Sequence, residues 1–453
     1  MKVHCERILR SLLRGKRAKW KLCFFTSFHF EASLQLAAGS FNGRGGIVVA
    51  ALMALLAIAA PLGAEERALT VIADRCGACH GVTLDARCVA GDCGARAHAI
   101  RPSPWDLVIP WMEALGCRLA DEERAELTSY LTVRYGKTYP VRWERLDPVP
   151  EGWNVVSLKP FRNTLYAGIE GAGSVVRLDG SAWRPALTTD SYTMYGLTEF
   201  RGRLFAGTNQ PSAELWSSTD GVKWTRAGRL PPEERGVIAL GRFRDALYAG
   251  TSRGRIYRSL DGASWTAAGA LIPSAENGFH NWVRFLVEFD GALYAGVEGA
   301  GVFRSRDGRT WQTVALRPGA PSGVRAAGMF DGALYVGTTT AGEVWRTSDG
   351  DRWTRVFAAA TGGARGYVAS LAVSGGTLYA GIDGLVFRSP DGRTWEEVGH
   401  LTPFTIEAMA DFNGSLYTGT ALPSRAWVYR MASSDAPERP TTEGGQRGHG
   451  PNP

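Results

Sequence analysis

The pattern of apolar and polar positions changes character twice along the chain. Residues 47–60 form an unbroken apolar run, IVVAALMALLAIAA. Between residues 65 and 140 the apolar positions take a helical spacing, which predicts short helices over 65–75 and 104–115. A third helix starts at a capping Asp121 and runs to about Tyr135, with Leu127, Tyr130, Leu131 and Arg134 on one face. From residue 141 the period falls to two. Short runs such as Arg255–Ser259 and the matching Val302, Phe303 and Arg304 predict half-buried strands.

The strand region repeats itself. An apolar-aromatic-small-Gly tetrad begins at Leu165, Leu204, Leu247, Leu293, Leu334, Leu378 and Leu416, at a mean step close to 42 residues. A D-G-x-x-W turn follows in six units, ending at Trp183, Trp224, Trp265, Trp311, Trp353 and Trp395. A period near 42 with about four short strands per unit predicts the blades of a propeller. In the turns, glycine accepts positive φ and the aspartate carboxylate ties down nearby backbone donors, so these aspartates read as structural rather than catalytic. The seventh unit has the tetrad and a third strand but no D-G-x-x-W. The segment Val141-Arg142-Trp143-Glu144-Arg145 has the W-x-R character of Trp224-Thr225-Arg226, and is expected to supply the missing outer strand and close the ring.

Charge narrows the partners. The formal net charge is +7, but residues 1–46 carry nine Lys or Arg against two acidic residues, and residues 65–453 are balanced. That removes the concentrated positive field a nucleic-acid surface needs. The fourteen apolar residues at 47–60 are too few to span a bilayer, which takes roughly 20, and suit the core of a signal peptide cleaved after Ala64. A periplasmic or otherwise exported protein is expected. An uncleaved segment, giving peripheral membrane association, is the alternative.

Five of the seven cysteines, Cys76, Cys79, Cys88, Cys93 and Cys117, fall within one short stretch, with none beyond it. Cys76-Gly77-Ala78-Cys79-His80 has the C-x-x-C-H spacing of covalent c-type haem attachment, two thiols reaching the vinyl groups and His80 the iron. A redox dithiol or a zinc site completed by Cys88, Cys93 or His98 is the alternative. Met112, the one methionine of the segment, is the expected sixth ligand, with His98 competing.

The segment from about Glu65 to Gly136 resembles a class I cytochrome c domain on its CGACH motif, its W-x-x-x-x-x-W-M-x-x-L-G stretch and its closing helix. The resemblance implies one covalent haem c, with Cys76 and Cys79 as thioether donors, His80 and Met112 as axial ligands, and electron transfer as the activity. Cys88 and Cys93 depart from the simplest pattern and can close a small disulfide in an exported protein. The later repeats resemble the Asp-box propellers found in sialidase-like exported proteins. The expected fold is therefore multidomain: a presequence over 1–64, a small all-alpha cytochrome c domain over 65–140, an all-beta seven-bladed propeller over 141–431 and a disordered tail over 432–453.

Segments leading into the inner strands are expected to converge on one face of the ring. They carry Tyr192, Arg235, His280, Arg325, Arg365 and Glu407, a set whose arginines could fork onto a carboxylate, a phosphate or a haem propionate. Three functions follow. The first is an exported electron carrier whose propeller docks a redox partner protein or a small-molecule electron donor or acceptor. The second is a haem oxidoreductase with substrate or a second cofactor on the propeller face. The third is a haem-bearing recognition or assembly module. No glycosidase motif matches residue by residue.

Overall fold

The computed structural model describes Ile109, Glu113 and residues 119–432, apart from 136–137, 273–280, 317–322, 360–365, 403 and 422–425. A helix, Asp121–Tyr135, precedes the strands, at the bounds expected for the third helix. Asp121, Glu122 and Glu123 place negative charge in its first turn, where the exposed amides attract it. Glu123 accepts the Ala120 N–H at 2.8 Å, and Arg124 bonds Glu113 and Asp121 at 2.7 Å each.

Every strand that follows belongs to a four-stranded antiparallel blade. Blades one to six span residues 154–188, 193–229, 237–270, 283–314, 324–358 and 368–400. The first two are joined into one sheet where Glu170 pairs with Thr193. The seventh blade takes its three inner strands from Ile406–Phe412, Ser415–Thr420 and Val428–Met431. Its outer strand is Trp143–Arg145, which pairs antiparallel with Val428–Met431 in the register Trp143↔Met431 and Arg145↔Tyr429. The two ends of the repeat region are thus hydrogen-bonded into one blade.

Two contacts recur between blades and explain the repeat. The tetrad aromatic of one blade lies under the turn glycine of the next: a β-carbon at Gly221, Gly308, Gly350 or Gly392 would overlap the hydroxyl of Tyr166, Tyr248, Tyr294 or Tyr335. The tryptophan after the turn covers a glycine in the outer strand of the preceding blade, Trp265 on Gly228 and Trp311 on Gly269. Trp143 does the same on Gly399, and its Nε1 donates to the Val398 carbonyl at 2.8 Å, so it takes the place of the missing repeat tryptophan. The core is accordingly distributed between blades. One cluster joins Val155, Leu165, Ala167 and Val176 of blade one to Ala408, Tyr417 and Val428 of blade seven.

The turn aspartates behave as structural residues, with one difference. Asp261 Oδ1 accepts from the Ala263 and Ser264 amides at 2.8 Å and from Ser259 Oγ at 2.9 Å. Asp220, Asp307 and Asp391 repeat this with Ser218, Ser305 and Ser389, and Asp349 with Thr347. Asp179 does not. Its chain has Arg177 where the others have a serine or threonine, and its carboxylate pairs with exposed Arg184 at 2.8 Å instead.

The expected multidomain fold class, an all-alpha cytochrome c domain ahead of the ring, is corrected by this architecture. The described chain is almost entirely β-sheet with a single short helix. The contacts that organise the described chain are those between blades. The expected helix over 65–75, most of that over 104–115 and the tail from 433 lie outside the described residues, as does the apolar run at 47–60. Among the described residues no helix is long and apolar enough to cross a membrane.

Candidate functional site

All seven inner strands carry the same irregularity near their start. The register slips between Val155 and Ser157, Met194 and Gly196, Val237 and Ala239, Val283 and Phe285, Val324 and Ala326, Val368 and Ser370, and Ile406 and Ala408. A bulge of this kind leaves one residue out of the ladder and re-aims its side chain. The seven residues so placed are Val156, Tyr195, Ile238, Arg284, Arg325, Ala369 and Glu407, and all of them line one cavity of about 330 Å³ on the axis. Two residues further along, on the same face of each strand, stand Leu158, Leu197, Leu240, Leu286, Ala327, Leu371 and Met409. A polar cup therefore sits on an apolar girdle, open toward the face where the inner strands begin, called here the upper face.

Three of the seven bulge positions are apolar, as a purely structural axis requires; the other four carry a phenol, two guanidinium groups and a carboxylate. Arg325 Nη2 donates to both oxygens of Glu407, at 2.7 and 2.6 Å, across 82 positions of sequence. Its Nη1 donates to Glu298 Oε1 at 3.1 Å, and Arg284 Nε donates to Glu298 Oε2 at 2.7 Å. Glu298 thus bridges the two arginines. Arg284 lies 4.6 Å over the Trp282 ring and 5.9 Å over that of Tyr195, and Arg325 lies 5.5 Å over Tyr367.

Burial sets the electrostatics of this group. It opposes the charge on Arg325, but the attraction of Glu407 and Glu298 outweighs it and holds the guanidinium above its ordinary pKa. Burial also drives the Tyr195 phenol well above its usual range, with Glu170 and Glu407 adding to the effect, so the hydroxyl is a proton donor at neutral pH. Glu170, two residues past the tetrad glycine of blade one, is raised by burial, opposed by its hydrogen bond from Asn154, and raised further by Glu407. Ion pairs this deep are held by mutual satisfaction, since removing one partner strands the other.

A second hollow of about 640 Å³ opens beside the cup on the same face, lined by Gly171, Asp190, Ser191, Tyr192, Gln210, Pro211, Pro232 and Arg235. Tyr192 meets Trp153 edge to face at 5.6 Å, and both rings are exposed.

Of the residues singled out in the sequence, Arg325 and Glu407 are joined in the cup, while Tyr192 and Arg235 share the second hollow. His280 and Arg365 lie outside the described residues. Of the arginines expected to fork onto one anion, Arg325 is held by Glu298 and Glu407, and Arg235 lines the second hollow. Glu170 and Glu298 escaped sequence reasoning. Both stand two residues after the glycine of the tetrad, a position the repeat could have exposed.

One family model matches, that of the DUF6242 beta propeller domain, over residues 318–443. No curated protein matches the chain. Among solved structures, virginiamycin B lyase from Staphylococcus aureus, in its catalytically inactive H270A form with quinupristin, is similar at a TM-score of 0.55 and 12% identity, covering 64% of this chain and 99% of that one. A streptogramin B lyase is similar at a TM-score of 0.53 and 12% identity, covering 66% of this chain and 100% of that one. At such identities the likeness is one of propeller fold.

The haem expectations are corrected by these findings. The resemblance to a class I cytochrome c, the single covalent haem c, the iron site and the electron-transfer function gain nothing from a family model and solved structures that are propellers. Among the described residues no three His, Cys, Asp or Glu side chains are grouped to hold a metal. Of the arginines that could have met a haem propionate, Arg325 is paired with glutamates and Arg235 lines a separate hollow, while Arg365 lies outside the described residues. Cys76, Cys79, His80 and Met112, together with Cys88 and Cys93, lie outside the described residues.

Proposed function

We propose that this chain is a binding module of an exported protein, and that its ligand enters the axial cup on the upper face of the propeller. The observation that carries this reading is the pattern of the bulge positions. Val156, Ile238 and Ala369 show that the fold tolerates apolar side chains there, yet Tyr195, Arg284, Arg325 and Glu407 occupy the rest and line the same cavity. Buried charge is costly to keep, and stability alone would be served as well by apolar residues of similar volume. A fold of this kind can hold a ligand, as the lyase solved with quinupristin illustrates. The apolar run at 47–60 supports export in general, and the periplasm as its finer form.

Thermal denaturation of the purified chain against a panel of amines, carboxylates, amino acids, short peptides and sugars finds the ligand. Calorimetric titration of each hit then compares wild type with Tyr195→Phe and Arg284→Lys. Loss of affinity of about tenfold or more in either variant is expected for a ligand in the cup. A ligand indifferent to both substitutions would place binding elsewhere. Tyr195→Phe keeps the test readable, because the hydroxyl has no hydrogen-bond partner among the described residues and its removal leaves the fold intact.

A further inference from the structure

Beside the cup, four polar side chains stand in one cross-strand row where blades one and two join. Asn154 pairs with Glu170, Glu170 with Thr193, and Thr193 with Asn209. Directly paired residues in antiparallel strands project to the same side, so the row presents its side chains together. All four carry acceptor oxygens. Asn154 Oδ1, Thr193 Oγ1 and Asn209 Oδ1 are buried with no hydrogen-bond partner, in side chains of residues 8%, 0% and 3% exposed. Glu170 accepts from Asn154 Nδ2 at 2.9 Å, and no Lys or Arg among the described residues forms an ion pair with it. The nearest guanidinium groups, Arg284 and Arg325, are held by Glu298 and Glu407.

Glu170 is the partly exposed member of the row, and its surroundings are aromatic. It is followed by Gly171, which lines the second hollow and packs against the Trp153 ring. The backbone N–H of Trp153 donates to the backbone carbonyl of Glu170 at 3.2 Å, which holds the two residues side by side, and the charge of Glu170 is felt at both Tyr192 and Tyr195. Arg284 and Arg325 act on the Glu170 charge only at a distance while bonded to Glu298 and Glu407, so among the described residues no cation pairs directly with the Glu170 carboxylate. A carboxylate with no ion-pair partner among the described residues, next to exposed Trp and Tyr rings, is complementary to a cation.

We propose that the Glu170 corner of the upper face receives an organic ammonium group of the ligand, held by the Glu170 carboxylate and flanked by the rings of Trp153 and Tyr192. The inference rests on the reading of the upper face as the binding surface and names the chemistry it takes. Ammonium groups gain from aromatic faces by electrostatic attraction to the ring, and a carboxylate beside them completes the recognition. Backing acceptors add negative potential at the same point, although they are too deep to touch the ligand.

The test titrates propylammonium and choline into the purified full chain by calorimetry, with propionate and propanol as controls of matched size. Saturable binding of the two cations and none of the controls is expected. Glu170→Gln, which preserves the hydrogen bond from Asn154, should weaken both cations by about tenfold or more, and Trp153→Leu should weaken choline several-fold. Absence of cation binding, or cation binding that Glu170→Gln leaves unchanged, overturns the inference. Propionate binding lost in Arg284→Lys would also overturn it, while leaving the axial cup standing as a ligand site for anions.

Discussion

At the scale of single residues, the turn aspartates turn acidity into a stability switch. The Asp220 carboxyl is pulled down to about 2 by the amides of Lys223 and Val222 and by Ser218, and Asp261, Asp307, Asp349 and Asp391 are lowered by the same bonds. An unfolded aspartate titrates near 3.9, so each folded group is the stronger acid. Its contribution is complete above roughly pH 4 to 5 and is lost as the pH falls through the folded value. Urea midpoints measured from pH 5 down to pH 2 should therefore fall steadily, and Asp261→Asn should flatten part of that slope; a midpoint constant over this range contradicts the argument. Gly221 is the complementary case. It sits at φ +77° with the Tyr166 hydroxyl against its α-carbon, so Gly221→Ala should cost about 2 kcal/mol or more in denaturation experiments.

At the scale of the strand, the bulge explains why half of the site was hard to read. Strand periodicity and the tetrad were visible in every unit, because apolar alternation and the Gly-Trp contacts repeat from blade to blade. Arg325 and Glu407 could be singled out as charges leading into inner strands. What alternation alone cannot show is that the second residue of each strand leaves the ladder and turns to the axis, or that Glu298, on a neighbouring strand end, bridges Arg284 to Arg325. The same limit applies to Asp179, where the D-G-x-x-W letters are present but the serine or threonine two positions earlier is not. The bridged chain of charges predicts strong coupling. Arg325→Met leaves Glu298 and Glu407 buried without their shared partner and should cost about 3–5 kcal/mol, whereas Arg325→Met with Glu407→Met should recover part of that loss. A loss in the double variant equal to the sum of the Arg325→Met and Glu407→Met losses would show that the pair is not coupled.

For the whole molecule, the ring and its closure were legible from the count of tetrads and from the W-x-R likeness of 141–145, whereas the expected helical domain was not what the described chain displays. The closing strand is three residues long, yet Trp143 is 8% exposed, covers Gly399 and bonds Val398. Trp143→Ala should cost about 3–5 kcal/mol by equilibrium denaturation, far more than an alanine at exposed Val222. The same strand also orders events in time. Arg430 and Glu144 meet across 286 positions of sequence, so during synthesis the first strand waits, unpaired along one edge, until almost the whole repeat has left the ribosome. Pairing at such separation is slow because the loop must be closed before its contacts repay the loss of chain freedom. Six blades can assemble from neighbours as they appear, and the last cannot. A nascent chain interrupted before residue 428 lacks the strand that lies between Trp143–Arg145 and Ser415–Thr420, so both of those edges stay unmated and open to the Val428–Met431 strand of another copy, which makes premature termination a route to intermolecular pairing.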